Sequence, residues 1–229
     1  DSIMTSYASK EMNIMGAKAF VDSVKESDGR STKNSTILYA VLGKSTDWPN
    51  EPNAPTATET IKDKHYDLWK NAIGAKKVNT TDVSHVIPRN DWTTGRVYPM
   101  YKHTNINLYT SNFFVLTDQN NVYKCLYNNK GGLSTVKPAG FSTTPFTTSD
   151  GYTWKYMYTI SLGLANKFLT ASHMPVQTLS ASDGSTEQIN QLAVQNASVN
   201  GAIHIVETND VGSGYGMLNS TAVVGATST

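Results

Sequence analysis

The sequence predicts a mainly β protein, namely a layered antiparallel β-sandwich with two or three inserted α-helices. The strongest observation is residues 150–160, where every even position from Tyr152 to Ile160 is apolar or aromatic. Such alternation is expected of a strand with one face in a core. Two shorter runs, 113–116 and 122–126, flank a polar turn and predict a β-hairpin.

The composition agrees with that fold class and excludes several functions. Only 16% of the 229 residues are charged, against roughly 25% in average domains, and Ser, Thr and Asn replace them. A net charge of +1 without a basic stripe argues against a nucleic-acid or anionic-membrane surface. We expect neither a signal peptide nor a membrane span, because no long apolar run occurs. Cys125 is the single cysteine, and its apolar neighbours predict a buried thiol.

The N-terminal part predicts a helix followed by a strand. Residues 10–26 carry apolar residues at helical spacing after a candidate N-cap, Ser9, and Asp28-Gly29 ends the pattern. The helix face expected to enter the core contains Met12, Met15, Ala19, Phe20, Ser23 and Val24. Residues 35–43 form a short apolar run between turn residues, which predicts a buried, central strand.

Next, residues 44–58 predict an exposed loop, because they contain Trp48 and three prolines. A second helix is predicted over 59–73, ending at Gly74, with Leu68, Trp69 and His65 on its apolar face. A structural histidine is the favoured interpretation of His65, since no second ligand stands at i+4.

Residues 86–99 read VIPRNDWTTGRVYP and predict a strand that ends in a specified turn. Pro88 stops regular pairing, and Asp91 can form an Asx turn or pair with Arg89 or Arg96. One interpretation is a structural corner and the other is a recognition surface that uses Trp92. We favour the corner, in which Arg89, Asp91 and Trp92 lock the turn between the second helix and the β-meander predicted over residues 105–126.

The remaining chain predicts shorter elements. They are strands at 105–109 and 202–207, a turn at 118–121, a long connection over 128–149, a helix at 162–169, extended chain at 173–176, a helical turn within 180–201 and a strand at 221–224. The glycine-rich residues 211–216 lack the Lys-Ser/Thr of a phosphate-binding loop and are interpreted as a β-turn. We therefore predict one domain over 1–179, and a small extra C-terminal β segment over 180–229 that continues in a longer chain.

Catalytic patterns are sparse in this sequence. None of the common hydrolase, metalloprotease or redox motifs is found, and the five histidines are scattered. Asp118 and Asp150 are the best candidates for a glycosidase pair, but both stand in turns, where Asp is a common residue. The sequence therefore predicts no enzyme, no metal and no cofactor.

Six motifs, taken in order, carry a family resemblance. They are LGKSTDW at 42–48, DLW at 67–69, VIPRNDW at 86–92, RVYP at 96–99, VYKCL at 122–126 and DGYTWKY at 150–156. Together they resemble the baseplate wedge subunit of T4-like contractile-tailed bacteriophages known as gene product eight. The resemblance covers residues 8–162.

The resemblance implies a non-enzymatic homodimer in the tail baseplate of a virion, assembled in the host cytoplasm and bound to other baseplate wedge proteins. It implies no nucleic acid, membrane or cofactor. Its signature residues are Trp48, Trp69, Pro88, Arg89, Asp91, Trp92, Arg96, Gly151, Tyr152 and Trp154. Trp48 and Trp92, with loops 44–58, 88–99 and 127–149, are the candidate partner contacts. The alternative is a carbohydrate- or host-receptor-binding module of a phage tail, and a glycan hydrolase comes third.

Overall fold

The computed structural model describes residues 10–26, 37–43, 50 and 61–207. The chain divides into two compact units, residues 1–198 and 199–229. All the helices and strands of the described residues belong to the first unit. In the second unit, residues 202–207 form no strand, so the strand predicted there is wrong.

Eight strands form three sheets in the described part of the chain, which confirms the mainly β prediction. Strands β1 and β2 pair with each other, β3 pairs with β8, and the third sheet has the order β4-β5-β7-β6, all antiparallel. The layered sandwich stays a prediction. The strands are β1 Tyr39–Gly43, β2 Ala72–Lys77, β3 His85–Pro88, β4 Phe114–Leu116, β5 Asn121–Asn128, β6 Phe146–Thr147, β7 Tyr152–Thr159 and β8 His173–Val176.

Four α-helices accompany the strands in the described residues, where two or three were predicted. They are α1 Lys10–Glu26, α2 Ile61–Lys70, α3 Leu162–Phe168 and α4 Thr186–Asn196. The bounds of α1 agree with the prediction, and those of α3 differ by one residue. Helix α4 is longer than the single turn predicted, and it packs on β7 through its buried Gln191 and Val194.

The four-stranded sheet has an apolar cluster on each face. Val115 and Leu116 are adjacent in β4 but belong to different clusters, so they point to opposite faces. The first core cluster contains Tyr98, Val115, Tyr123, Cys125, Tyr152, Trp154, Tyr156 and Val194. The second core cluster contains Leu116, Val122, Tyr158, Ile160 and Met174. Cys125 is buried as predicted, and burial raises the pKa of its thiol to about 12.

A β-bulge in β7 divides the predicted alternating face between the two clusters. All five even residues from Tyr152 to Ile160 are buried, as predicted. Val122 pairs with Tyr158 while Tyr123 pairs with Tyr156, so Met157 is an extra residue on β7. Tyr158 and Ile160, which follow the bulge, pack in the second core cluster. The even residues therefore face two clusters, which corrects the expectation of a single buried face.

The predicted hairpin is confirmed as β4 and β5, and the predicted extended segment 173–176 is confirmed as β8. Thr117 and Asn121 close the turn between β4 and β5, where Asn120 has a φ of +59°. Asn tolerates this left-handed conformation better than most residues. Residues 105–109, predicted as a strand, form no strand, and a 3-10 turn begins at Leu108.

The N-terminal elements differ most from prediction. Helix α1 buries Val21 and Val24, whereas its methionines and Phe20 are exposed. Strand β1 is largely exposed and lies in a two-stranded sheet, so it is neither buried nor central. Helix α2 ends at Lys70, and Gly74 lies inside β2, a strand that was not predicted. His65 is exposed on α2. The predictions for Ser9, residues 28–29, Trp48 with most of its loop, and residues 211–216 and 221–224 lie outside the described residues.

Replacing Trp154 by Ala should lower the free energy of unfolding by about 3–5 kcal/mol, because it leaves a large cavity in the first core cluster. Trp154 has no exposed surface, whereas Trp69 is 68% exposed. The matched control Trp69→Ala should change stability by only about 0.5 kcal/mol. Urea unfolding of the two variants measures the difference. Equal losses would contradict this assignment of core and surface tryptophans.

Candidate functional site

The predicted turn within residues 86–99 follows strand β3, and Arg89 fixes the position of this turn. The Arg89 backbone N–H donates to the Ser172 carbonyl at 2.9 Å, and its Nη1 donates to the Thr170 carbonyl at 3.0 Å. Its Nε also donates to Asp91 Oδ1 at 2.8 Å. The corner is therefore fixed to the segment after α3, whereas the sequence placed it between the second helix and the β-meander.

Asn90 covers the outer edge of the four-stranded sheet. Its backbone carbonyl accepts a hydrogen bond from the Leu116 N–H at 2.9 Å, and the Trp92 N–H donates to the Leu116 carbonyl at 2.7 Å. The Asn90 amide group donates to the Asn112 carbonyl at 2.9 Å. An uncovered strand edge invites pairing with another chain, and these bonds prevent it at β4. Sequence reasoning missed Asn90, because an Asn between charged residues is typical of any turn.

Ser134 joins the motifs VIPRNDW and DGYTWKY, although neither motif contains it. Its hydroxyl accepts from Trp92 Nε1 at 3.1 Å and donates to Asp150 Oδ2 at 3.2 Å. Its backbone carbonyl accepts from Gly95 at 2.7 Å, and its N–H donates to the Arg96 carbonyl at 2.9 Å. Ser134 is fully buried. No sequence signal pointed to it, since it stands in a Ser/Thr-rich connection.

The carboxylate of Asp150 holds the long connection before β7. It accepts backbone N–H bonds from Thr135 at 2.8 Å and Val136 at 2.9 Å, and a hydroxyl bond from Thr148. Burial alone would raise the pKa of Asp150, but these hydrogen bonds outweigh it and the pKa lies below its ordinary value. The carboxylate oxygens are occupied by hydrogen bonds that hold the loop, which disfavours the role of a glycosidase acid.

Aromatic rings complete the joint between the two motifs. Tyr152 stacks on Trp154 with ring centroids 5.4 Å apart, and Tyr98 meets Trp154 edge-on at 5.9 Å. The Tyr98 N–H donates to the Tyr152 hydroxyl at 3.3 Å. Gly151 has a φ of +83°, and a Cβ there would lie 2.9 Å from the Asn129 side chain. A glycine is therefore required at this position.

Four of the ten predicted signature residues, Trp92, Arg96, Tyr152 and Trp154, meet in this region. We name it the Ser134 joint, and it also contains Gly95, Tyr98, Ser134 and Asp150. Trp92 is half-buried against the first core cluster, so little of its ring is left for a partner. Trp69 lies on α2 and takes no part in the joint. These contacts agree with the structural-corner interpretation of residues 86–99.

The other candidates for chemistry are dispersed. Asp118 pairs with Lys137 on the surface at 2.9 Å, and the Lys137 hydrogen bond lowers the pKa of Asp118. Within the described ranges no His, Cys, Asp or Glu side chains group into a metal site, and no helix there has the length and apolarity needed to cross a membrane. No protein-family model matches the chain, and no curated protein is significantly similar to it.

Arg89→Ala should lower the free energy of unfolding by about 1–3 kcal/mol, because it leaves the Thr170 carbonyl and Asp91 without their partner. The control Lys137→Ala, which breaks an exposed ion pair, should cost at most about 1 kcal/mol. Urea unfolding measures both. An Arg89→Ala protein that unfolds like the wild type but fails to assemble would make Arg89 a partner contact instead.

Asp150→Asn should destabilise the protein by about 2 kcal/mol at neutral pH, because an amide replaces a charged acceptor of several hydrogen bonds. The pKa of Asp150 is lowered in the folded state, so its contribution is complete above the unfolded pKa of about 3.9. It is lost as pH falls through the lowered folded pKa. The stability gap between the wild type and Asp150→Asn should therefore narrow below pH 4, as measured by thermal melts across pH. An equal effect of Asp118→Asn, at the exposed acid, would contradict this role.

Proposed function

We propose that this chain is a structural, non-catalytic component of the baseplate wedge of a contractile-tailed bacteriophage. In this role it binds other baseplate wedge proteins and a second copy of itself, and it resides in the virion tail. The observation that carries the proposal is a set of large, exposed apolar side chains on the N-terminal elements, together with the motif resemblance. We name it the N-terminal apolar surface.

This surface consists of large side chains on α1, β1, α2 and β2. Each is at least half exposed: Met12 64%, Met15 70%, Phe20 50%, Tyr39 63%, Leu42 71%, Tyr66 70%, Trp69 68% and Ile73 70%. Of the described residues before Asn90, only Val21 and Val24 are buried apolar residues. The N-terminal elements therefore have little core of their own.

A surface of this kind favours assembly for two physical reasons. A two-stranded sheet such as β1–β2 is marginal in water unless something covers it. Exposed apolar patches mark interaction sites, and Trp, Tyr, Phe and Met are the residues enriched in the cores of interfaces. Leu42 and Trp69 also belong to the motifs LGKSTDW and DLW, which carry the family resemblance.

A structural role agrees with the state of the two candidate catalytic carboxylates. Asp150 is held by hydrogen bonds within its own loop, and Asp118 is paired with Lys137. Protein–protein contacts need shape and apolar area rather than titratable groups, which the N-terminal apolar surface supplies.

Trp69→Ser and Leu42→Ser should each weaken assembly by about tenfold or more, because central interface residues carry most of the binding energy. Sedimentation velocity measures self-association, and co-purification measures binding to wedge proteins. The control Ile106→Ser removes a lone apolar side chain that is 94% exposed, and it should leave assembly unchanged. The proposal fails if the wild-type protein is strictly monomeric at high concentration, binds no wedge protein and is absent from purified virions.

A carbohydrate- or host-receptor-binding module is the second candidate, because the rings of Tyr39, Tyr66 and Trp69 are exposed and aromatic rings can stack on sugars. A glycan array separates the two functions. Saturable, selective glycan binding that Trp69→Ala abolishes would favour the second candidate. Replacement of the half-buried Trp92 should change stability before it changes binding.

A further inference from the structure

A cleft of about 370 Å³ lies between β7, α4 and the chain that follows β8. Its walls are mostly apolar and include Phe114, Met157, Val176 and Val194. Lys155 is the one charged residue among those that line it. The cleft is separate from the Ser134 joint and from the N-terminal apolar surface.

Lys155 is buried without a partner. Its exposed fraction is 7%, and within the described residues it makes no hydrogen bond, ion pair or ring contact. The acidic residue of α4, Glu187, does not pair with it. Trp154 Nε1 is the one fully sealed side-chain polar atom without a partner among the described residues, so the Lys155 ammonium keeps some accessible surface.

A second lysine increases the positive charge at this place. Lys124 faces Lys155 directly across β5 and β7, and its Nζ lies 3.3 Å from the centre of the Tyr101 ring. Burial, followed by the charge of Lys155, lowers the pKa of Lys124 to about 8, and burial also lowers the pKa of Lys155. Like charges placed opposite in a sheet are destabilising, and the burial of most of the Lys155 side chain without a polar partner adds to this cost.

The glutamine side chains of the cleft are already hydrogen-bonded. Gln191 Nε2 donates to the Gln177 carbonyl at 2.7 Å and to Gln195 Oε1 at 3.0 Å. Gln195 in turn donates to the Leu179 carbonyl at 2.9 Å. These bonds tie α4 to the chain after β8, which makes the cleft a built feature of the fold. Lys155 remains as the free charged group above an apolar wall.

We propose that this cleft, named the Lys155 cleft, binds a carboxylate carried on an apolar body. The ammonium pairs with the carboxylate, and the apolar body covers Phe114, Met157 and Val194. An acidic residue flanked by apolar residues in a protein segment and a free amphiphilic carboxylate share this chemistry. The proposal does not rest on the baseplate function, because it follows from the cleft alone.

Octanoate tests the ligand chemistry on the full chain. Used below its micelle concentration, octanoate should bind saturably and about tenfold to a hundredfold more tightly than 1-octanol, which has the same body without the charge. Octylamine should not compete. Titration by NMR should shift amide signals of β7 and α4. Equal binding of octanoate and octanol, or no binding of octanoate, would overturn the proposal.

The variant Lys155→Met separates a binding role from a structural one. It removes the ammonium and keeps the length of the side chain, so the free protein should melt at the same or a higher temperature while octanoate binding is lost. Lys137→Met, at the exposed partner of Asp118, should change neither result. A variant that still binds octanoate as the wild type does would overturn the assignment of Lys155.

Carbodiimide cross-linking, applied to the assembled particle or to the purified protein, identifies the source of the carboxylate. A carbodiimide joins a carboxylate to the adjacent lysine amine as an amide, and the carbodiimide takes up the water as a urea. A Lys155 cross-link to an Asp, Glu or C-terminal residue identifies a protein segment as the ligand. A small acid amide on Lys155 identifies a free carboxylate. If Lys155 stays unmodified while exposed lysines such as Lys137 react, the proposal fails.

Discussion

The arrangement of the four-stranded sheet and the β3–β8 sheet depends on how the outer edge of strand β4 is covered. A four-stranded sheet with a core on each face presents two edges, and the β4 edge is closed by the turn that follows β3. Pro88 ends the pairing of β3, and Asn90 then spans the edge with bonds to Asn112 and Leu116. Because Arg89 anchors the same turn to the chain after α3, the edge is closed only when the sheet β3–β8 is in place. The corner and both sheets are therefore coupled.

The parts that sequence reasoning predicted well are those where one local pattern decides the outcome. The burial of residues 152–160 follows from strict alternation, and the turn at 118–121 follows from its Asp and Asn residues. Helix α1 has the predicted bounds for the same reason, since its period of 3.6 is clear. Which of its faces meets the core depends on distant partners. Of the predicted face Val24 is buried, whereas both methionines and Phe20 are exposed. The bulge at Met157 needs the register of β5, which lies more than thirty residues away.

The Ser134 joint was partly visible in the sequence. Trp92, Arg96, Tyr152 and Trp154 belong to the motifs VIPRNDW, RVYP and DGYTWKY, and the structure places these three motifs together. Ser134 and Asn90 carry no signal of their role in the sequence, because small polar residues acquire it only when a fold buries them. A buried hydroxyl between an indole N–H and a carboxylate is a tertiary arrangement that no spacing rule can report.

The β7 bulge also explains how one strand serves both the core and the Lys155 cleft. An extra residue at Met157 turns the following side chains into the second core cluster, and it leaves Met157 and Lys155 on the same cleft wall. Bulges often occur beside functional sites because they redirect single side chains. The strand is buried on both faces, so a lysine in it opposite another lysine is an arrangement that folding alone does not favour. A ligand with negative charge would remove that cost, and this is the physical reason to assign the cleft a binding role.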